Sequence, residues 1–224
     1  MMRWKAIAAA AALATAGCGY PATAAEAVFD APVAARQAKE SGLKTAIFAG
    51  GCFWGIEAIF SHTKGVTSAV SGYHGGNAKT ANYSAVSSGV TNHAEAVKVT
   101  YDPSVIRYDQ LLQILFSVGA DPTLLNRQGP DRGAQYRAAI VPLSAEQRAV
   151  ANAYVRQMQV SGAYDGPIQV KVEPAKTFYP AETYHQDFAQ KNPNHGYIRR
   201  WDAPKVSALK VKFPQFYRAS FKTG

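Results

Sequence analysis

Cysteine is nearly absent from this chain, which holds only Cys18 and Cys52 among 224 residues. That excludes a disulfide-rich scaffold and a zinc site built from cysteine alone. Histidine is scarce too. Its five residues include no His-x-x-x-His pair, so a common helical metal-ligand spacing is missing. Acidic residues are outnumbered 15 to 24 by Lys and Arg. The net charge is +9, and +7 once Arg3 and Lys5 are set aside with the N-terminal segment. Such a surplus favours anionic surfaces in general and does not by itself indicate nucleic acid. No apolar run reaches the roughly 20 residues that span a bilayer as a helix. What is present is 47% hydrophobic and 17% charged, a balance that supports a sizeable core and opposes wholesale disorder. The length suits one domain, or one and a half.

The N-terminus reads as an address. Met1 to Lys5 form a basic segment, and Ala6 to Ala16 are small and apolar, the right length for the hydrophobic region of an export signal. Two processing sites compete. Ala22-Thr23-Ala24 fits a small-x-small cleavage site, giving a leader over 1–24. Thr15-Ala16-Gly17-Cys18 resembles a bacterial lipoprotein box with Cys18 acylated, although Thr15 stands where Leu is usual. Export is expected either way, to a bacterial periplasm or to a lipid-anchored place in the envelope. Residues 25–42 are rich in Ala and Val, contain Pro32 and lack periodicity, so they read as a linker.

The remainder alternates between two periods. Strands are predicted over 44–51, 66–73, 94–101, 135–141 and 168–172, and helices over 53–62, 108–118 and 144–158. A polar loop spans 77–92, a glycine-bearing loop spans 121–134, and the chain from Lys191 on reads as irregular and basic. The order β-α-β-β-α-β, then α-β, predicts an α+β fold. It is a two-layer mixed β-sheet with helices, related to the split β-α-β (ferredoxin-like) plait. A domain over 43–197 is expected to carry the chemistry. The segment 198–224 holds seven basic residues and one acid, Asp202, interleaved with aromatics, and reads as a tail packed on that domain.

Chemistry concentrates at Cys52, in Gly50-Gly51-Cys52-Phe53-Trp54-Gly55, where a predicted strand meets a predicted helix. The first turn of a helix presents unpartnered N–H groups and partial positive charge, so a thiol there is expected to have a lowered pKa. A small buried hydrophobe is the bland alternative. Glu95 lies in phase with Val97, Val99 and Tyr101, the apolar side of its strand. Burial there raises a carboxyl pKa and leaves a neutral acid able to give a proton near pH 7. Tyr83 and Tyr136 sit in or beside the two long loops and supply hydroxyls, although twelve tyrosines make a surface or core role the default for any one. Phe53 and Trp54 serve either the core or the wall of an apolar pocket.

These residues, taken in order, resemble the A-type peptide methionine sulfoxide reductases. The resemblance rests on Gly51-Cys52-Phe53-Trp54-Gly55 with Glu57 and Phe60, and on Gly72-Tyr73-His74-Gly75-Gly76. It continues through Tyr83, His93-Ala94-Glu95-Ala96-Val97, Tyr101-Asp102-Pro103, Asp121-Pro122-Thr123, Asn126-Arg127-Gln128-Gly129, Asp131, Gln135-Tyr136-Arg137 and Ala181-Glu182-Thr183-Tyr184-His185-Gln186. It covers about residues 44 to 197. It implies that Cys52 attacks the sulfoxide sulfur, that Glu95 protonates the departing oxygen and that Tyr83 and Tyr136 hydrogen-bond it. It also implies that Phe53 and Trp54 hold the substrate methyl, that Asp131 orders the site and that His185 lies at its edge. The expected reaction reduces methionine-S-sulfoxide, free or in protein, and leaves a sulfenic acid on Cys52. No bound cofactor or metal is implied.

Two departures stand out. Family members often carry resolving cysteines near the C-terminus, and none follows Cys52 here. Many have His where this chain has Ala120. The first departure predicts recycling by an external thiol: a thioredoxin-like or glutaredoxin-like protein, or a small dithiol. Oxidised methionine-containing proteins are the other expected partners. Nucleic acid is not expected, a membrane only through Cys18, and the chain is expected to act as a monomer. Two other functions stay open on the residues. A cysteine hydrolase would need one of the five histidines as general base. A non-enzymatic envelope lipoprotein would bind a partner through the basic tail.

Overall fold

A computed structural model describes residues 28–224. The 1–24 leader, with Cys18 inside it, and residues 25–27 lie outside the described residues. The first strand, β1 (Lys44–Gly50), runs into helix α1 (Phe53–Ser61), which buries Phe53, Ile56, Ile59 and Phe60 along the predicted stripe. Strands β2 (Val66–His74) and β3 (Ala94–Tyr101) follow, separated by a short helix α2 (Tyr83–Ser87). Helix α3 (Tyr108–Ile114) widens into a π turn over Leu115–Gly119. A two-residue hairpin, β4 (Arg127–Gln128) with β5 (Asp131–Arg132), precedes β6 (Ala138–Val141) and α4 (Ala145–Val160). Strands β7 (Lys171–Val172) and β8 (Phe178–Pro180) come next, then helices α5 (Phe188–Lys191) and α6 (Ala203–Lys212).

The main sheet has the order β7-β6-β1-β3-β2-β8. Its neighbours are antiparallel except β6 and β7, so the sheet is mixed. The central four, β6-β1-β3-β2, are the split β-α-β plait that the element order predicts. Side chains alternate across it. Ala46 and Phe48 of β1 and Val97, Val99 and Tyr101 of β3 join the main core under the helices. Ile47, Ala49, Ala94, Ala96, Ala139 and Val141 form a thinner second cluster on the other face, with Phe178 against it. Glu95 therefore sits on the helix-covered face.

Four predicted segments differ in detail. The 77–92 loop contains a 3-10 turn, Ala78–Thr80, and α2; Asn77 and Asn82 cap them through Lys79 N–H and Ala85 N–H. Asn caps explain why a polar stretch is helical here. The strand predicted from 135 begins at Ala138, because Ala134–Tyr136 form a 3-10 turn. The 168–172 strand is only two residues long. The basic C-terminal stretch is not irregular throughout: a π turn over Ile198–Asp202 leads into α6, with a proline in its first turn. Residues 28–42 have no regular structure but are bonded to the domain. Tyr154 Oη donates to the Pro32 carbonyl at 2.9 Å, and Ala38 N–H donates to Asp109 Oδ1 at 2.8 Å. Tyr101 Oη donates to Glu40 Oε2 at 2.5 Å. Among the described residues no helix is long and apolar enough to cross a membrane.

Candidate active site

Cys52 sits in the N-cap position of α1, one residue beyond the double glycine that ends β1. Gly51 has φ +89°, and a Cβ there would lie 2.6 Å from Gln128 Cβ, so only glycine lets the turn close. Gln128 is itself held by Asp121, accepting from its N–H at 2.9 Å and donating to its carbonyl at 2.8 Å. Ala120 packs against the same corner, its Cβ 2.9 Å from where a Gly50 Cβ would stand. Cys52 is half-buried and is the free cysteine of the described residues. It offers α1 no side-chain cap. Glu95 does so instead: its Oε2 accepts the Phe53 N–H at 3.0 Å. The carboxyl thereby touches the first turn of the helix that carries the thiol.

The electrostatics correct one expectation. The thiol pKa is not lowered by the helix start; it is raised well above its ordinary value. Burial is the largest cause, and the carboxylates of Glu95 and Asp202 add to it. A hydrogen bond from the Trp54 amide does favour the thiolate, as the helix terminus should, but the other effects outweigh it. At rest Cys52 is a thiol. Burial also lifts the Glu95 carboxyl, to about 8; the Phe53 N–H opposes this, and Asp131 and Asp202 reinforce it. Near pH 7 Glu95 is therefore mostly neutral, so the resting pair is uncharged.

Two phenols face this pair. Tyr83 opens α2, and its amide is fixed by Glu182 Oε1 at 2.9 Å. Tyr136 closes the 3-10 turn after the β4–β5 hairpin. Both hydroxyls are held protonated, first by burial and then by the charges that would form on Glu95 and Cys52. Asp131, in β5, accepts the Tyr197 hydroxyl in a short hydrogen bond. Burial raises the Asp131 pKa, while Tyr197 and then Lys205 lower it.

Aromatic rings wall the site. Phe53 is 1% exposed and packs on Tyr73 and His185, with centroids 5.9 and 5.1 Å away. Trp54 stacks on Phe188 at 3.8 Å and meets Tyr197 edge-on at 5.9 Å. The Trp54 indole N–H donates to His185 Nδ1 at 3.1 Å. Burial lowers the His185 pKa, so the imidazole is neutral, and a proton-accepting Nδ1 assigns the ring proton to Nε2. The eight predicted site residues thus fall in one neighbourhood built from the start of α1, β3, α2, the β4–β5 hairpin, the 134–136 turn and the 183–185 turn.

Sequence reasoning assigned no role to several neighbours. Tyr197 holds Asp131, and Glu182 holds both Tyr83 and the Tyr73 hydroxyl, the latter at 2.8 Å. Phe188 backs Trp54, and Asp202 bears on both the thiol and Glu95. Tyr197 had no signal among twelve tyrosines, whereas Glu182 lies in the 181–186 stretch that carries the family resemblance. Four of the five histidines are engaged with groups other than Cys52, and the fifth, His195, meets the Trp54 ring edge-on with centroids 6.0 Å apart. His185 accepts from Trp54, His93 contacts the Asn77 carbonyl, His74 accepts from Lys176 and His62 contacts the Arg218 carbonyl.

A thiol beside a neutral carboxylic acid and two phenols can pair a sulfur nucleophile with a proton donor. The model of the peptide methionine sulfoxide reductase family matches residues 44–216, through the end of α6. Among curated proteins the chain is similar to peptide methionine sulfoxide reductase MsrA 2 of Mesorhizobium japonicum. The two are 52% identical over 176 residues, covering 79% of this chain and 90% of that protein. It is also 50% identical to the protein of the same name from Synechocystis, over 81% of this chain and 83% of the relative. Among solved structures it resembles reduced Mxr1 of Saccharomyces cerevisiae, with TM-score 0.62, 31% identity, and 69% and 90% of the two chains covered. Methionine sulfoxide reductase A of Corynebacterium diphtheriae gives TM-score 0.57 and 34% identity, covering 69% and 77%. The chain belongs to the peptide methionine sulfoxide reductase family and is an enzyme of that class.

Proposed function

We propose that the chain reduces methionine-S-sulfoxide, in proteins and as the free amino acid, with Cys52 as nucleophile and Glu95 as general acid. The observation that carries this reading is the buried, neutral Glu95 bonded to the first turn of the Cys52 helix at 3.0 Å. A sulfoxide oxygen leaves poorly unless it is protonated as the new bond forms. Cys52 sulfur attacks the sulfoxide sulfur, and Glu95 gives its proton to the oxygen. The thiol proton returns to the Glu95 carboxylate. The sulfur–oxygen bond of the substrate breaks as its hydroxyl moves to the Cys52 sulfur, and the transient bond between the two sulfurs breaks with it, leaving methionine and a sulfenic acid on Cys52. Methionine sulfur gains two electrons and Cys52 loses two, so the step needs no outside reductant, and the thiol proton replaces the one Glu95 gives, so it needs no outside proton. Tyr83 and Tyr136 donate hydrogen bonds to the oxygen as charge develops on it. Phe53 and Trp54 take the methyl group, Asp131 with Tyr197 orders the polar side, and His185 fixes the Trp54 ring. One missing methylene is worth only about 1–3 kcal/mol to such a wall. The fixed donors to the oxygen therefore choose the S epimer.

Regeneration belongs to the same proposal. Cys52 is the single cysteine of the described residues, so two external thiols reduce its sulfenic acid to thiol and water and form a disulfide of their own. A thioredoxin-like or glutaredoxin-like protein or a dithiol supplies them. The chain is exported and works as a monomer, with Cys18 either removed with the leader or blocked as a lipid thioether. One equivalent of substrate without reductant should yield one methionine and a dimedone adduct on the Cys52 peptide. An intramolecular Cys18–Cys52 disulfide in protein from the native envelope would overturn the scheme.

A further inference from the structure

The aromatic wall does not stop at the pocket. From Phe53 it passes to His185, 5.1 Å between centroids, and from His185 to Tyr184, 4.2 Å further on. The Tyr83 ring lies beside the same imidazole at 4.3 Å. His185 is 2% exposed, whereas Tyr184 is 61% exposed. Tyr184 is thus the outermost member of a continuous file of rings that begins at the residue after Cys52. It is also near enough to the polar side of the site to raise the pKa of Tyr83.

An isolated exposed aromatic needs no explanation. This one differs in how its backbone is held. It occupies the middle of the 3-10 turn Thr183–His185, closed by His185 N–H to the Glu182 carbonyl at 2.9 Å. Before it, the Glu182 carboxylate accepts from Tyr83 and Tyr73. After it, the Gln186 amide bonds both the N–H and the carbonyl of Ser71, at 3.0 and 2.9 Å. The ring is therefore carried on a rigid turn and loses little freedom when something settles on it. A rigid, exposed aromatic face suits an apolar side chain or a peptide plane, whereas a free carboxylate meets only the negative face of the ring.

We propose that Tyr184 is a specificity-determining residue, whose exposed face receives the residue flanking methionine sulfoxide in an oxidised polypeptide. This rests on the reductase reading above. The experiment compares kcat/KM for a blocked pentapeptide, with methionine-S-sulfoxide between apolar neighbours, to kcat/KM for free methionine-S-sulfoxide. Dithiothreitol is the reductant for both. In Tyr184→Ala the peptide-to-free ratio should fall about three- to tenfold, with the loss in KM. Tyr184→Phe should keep the wild-type ratio, because the ring face and not the hydroxyl is the contact. An unchanged ratio in Tyr184→Ala would overturn the proposal, including the case where both substrates suffer equally because the ring merely supports His185. A wild-type chain that reduces neither substrate would overturn the reductase reading and this one with it. Wild-type turnover of both with an unshifted ratio would remove only the role of Tyr184.

Discussion

Two buried carboxyls flank α1, Glu95 from β3 and Glu57 from the helix itself, and burial pushes both to about 8. Their surroundings differ. Glu57 is fully buried and accepts two amides, Ser71 N–H at 3.3 Å and Asp187 N–H at 2.9 Å, so it ties the helix to β2 and to the turn that carries His185. Asp187 stands there in a left-handed conformation, φ +56°, which that bond helps to hold. Glu95 accepts one amide at the helix mouth and lies among the thiol and the two phenols. A raised pKa alone therefore does not mark an acid catalyst. The same titration is structural where the proton has nowhere to go, and chemical where a nucleophile and an oxygen site share the space.

Substitutions can break this comparison. Cys52→Ser should abolish sulfoxide reduction in a folded protein, since a hydroxyl cannot take the oxygen as a sulfenic acid does. Measurable turnover would sink the mechanism. Glu95→Gln keeps a hydrogen-bonding group of the same shape and should slow single turnover by about 10²–10⁴. Glu57→Gln should slow it far less, by less than about tenfold, because its job is to hold backbone. A Glu57→Gln variant as slow as Glu95→Gln would erase the distinction. Glu57→Ala should instead lower unfolding stability by about 1–3 kcal/mol for each amide left without an acceptor. Denaturant unfolding reads that loss.

The pH dependence of stability sharpens the comparison further. A folded pKa near 8 against an ordinary 4.5 means that the folded state binds more protons across that window. The contribution of these two carboxyls to stability should then fall as pH rises from about 4.5 to about 8, and level off above it, by on the order of a few kcal/mol per group. Glu57→Gln removes one such contribution and should flatten the fall. A Glu57→Gln variant whose stability follows the wild-type pH dependence across this window would contradict the Glu57 assignment.

Much of this could be read in the residues before the structure. The alternation of Glu95 with Val97, Val99 and Tyr101 placed the acid on the buried face, and the glycines before Cys52 placed the thiol at a strand-to-helix turn. Helix α6 was hidden because its buried stripe, Asp202, Lys205, Leu209 and Phe213, carries two charged side chains, so its amphipathic pattern reads as polar. The direction of the Cys52 shift was not legible either. A helix start argues for a lowered pKa. Only the assembled site shows that burial prevails, with Glu95 and then Asp202, from the far end of the chain, adding to it. Residues 28–42 look featureless because several of their contacts are made by backbone groups, as with Pro32 and Ala38, and the rest by scattered side chains such as Arg36 and Glu40 that follow no period.

The central claim is that the site reacts in its fully protonated form, with Glu95 as the proton source. Single-turnover rates of methionine formation between pH 6 and pH 10 test it most directly, in the wild type and in Glu95→Gln. The wild-type rate should be flat at low pH and fall as pH rises through about 8, where Glu95 loses its proton. That limb should be missing from Glu95→Gln and kept in Glu57→Gln. A rate that climbs through pH 8 and 9 as the thiol ionises, or an identical falling limb in Glu95→Gln, would contradict the account.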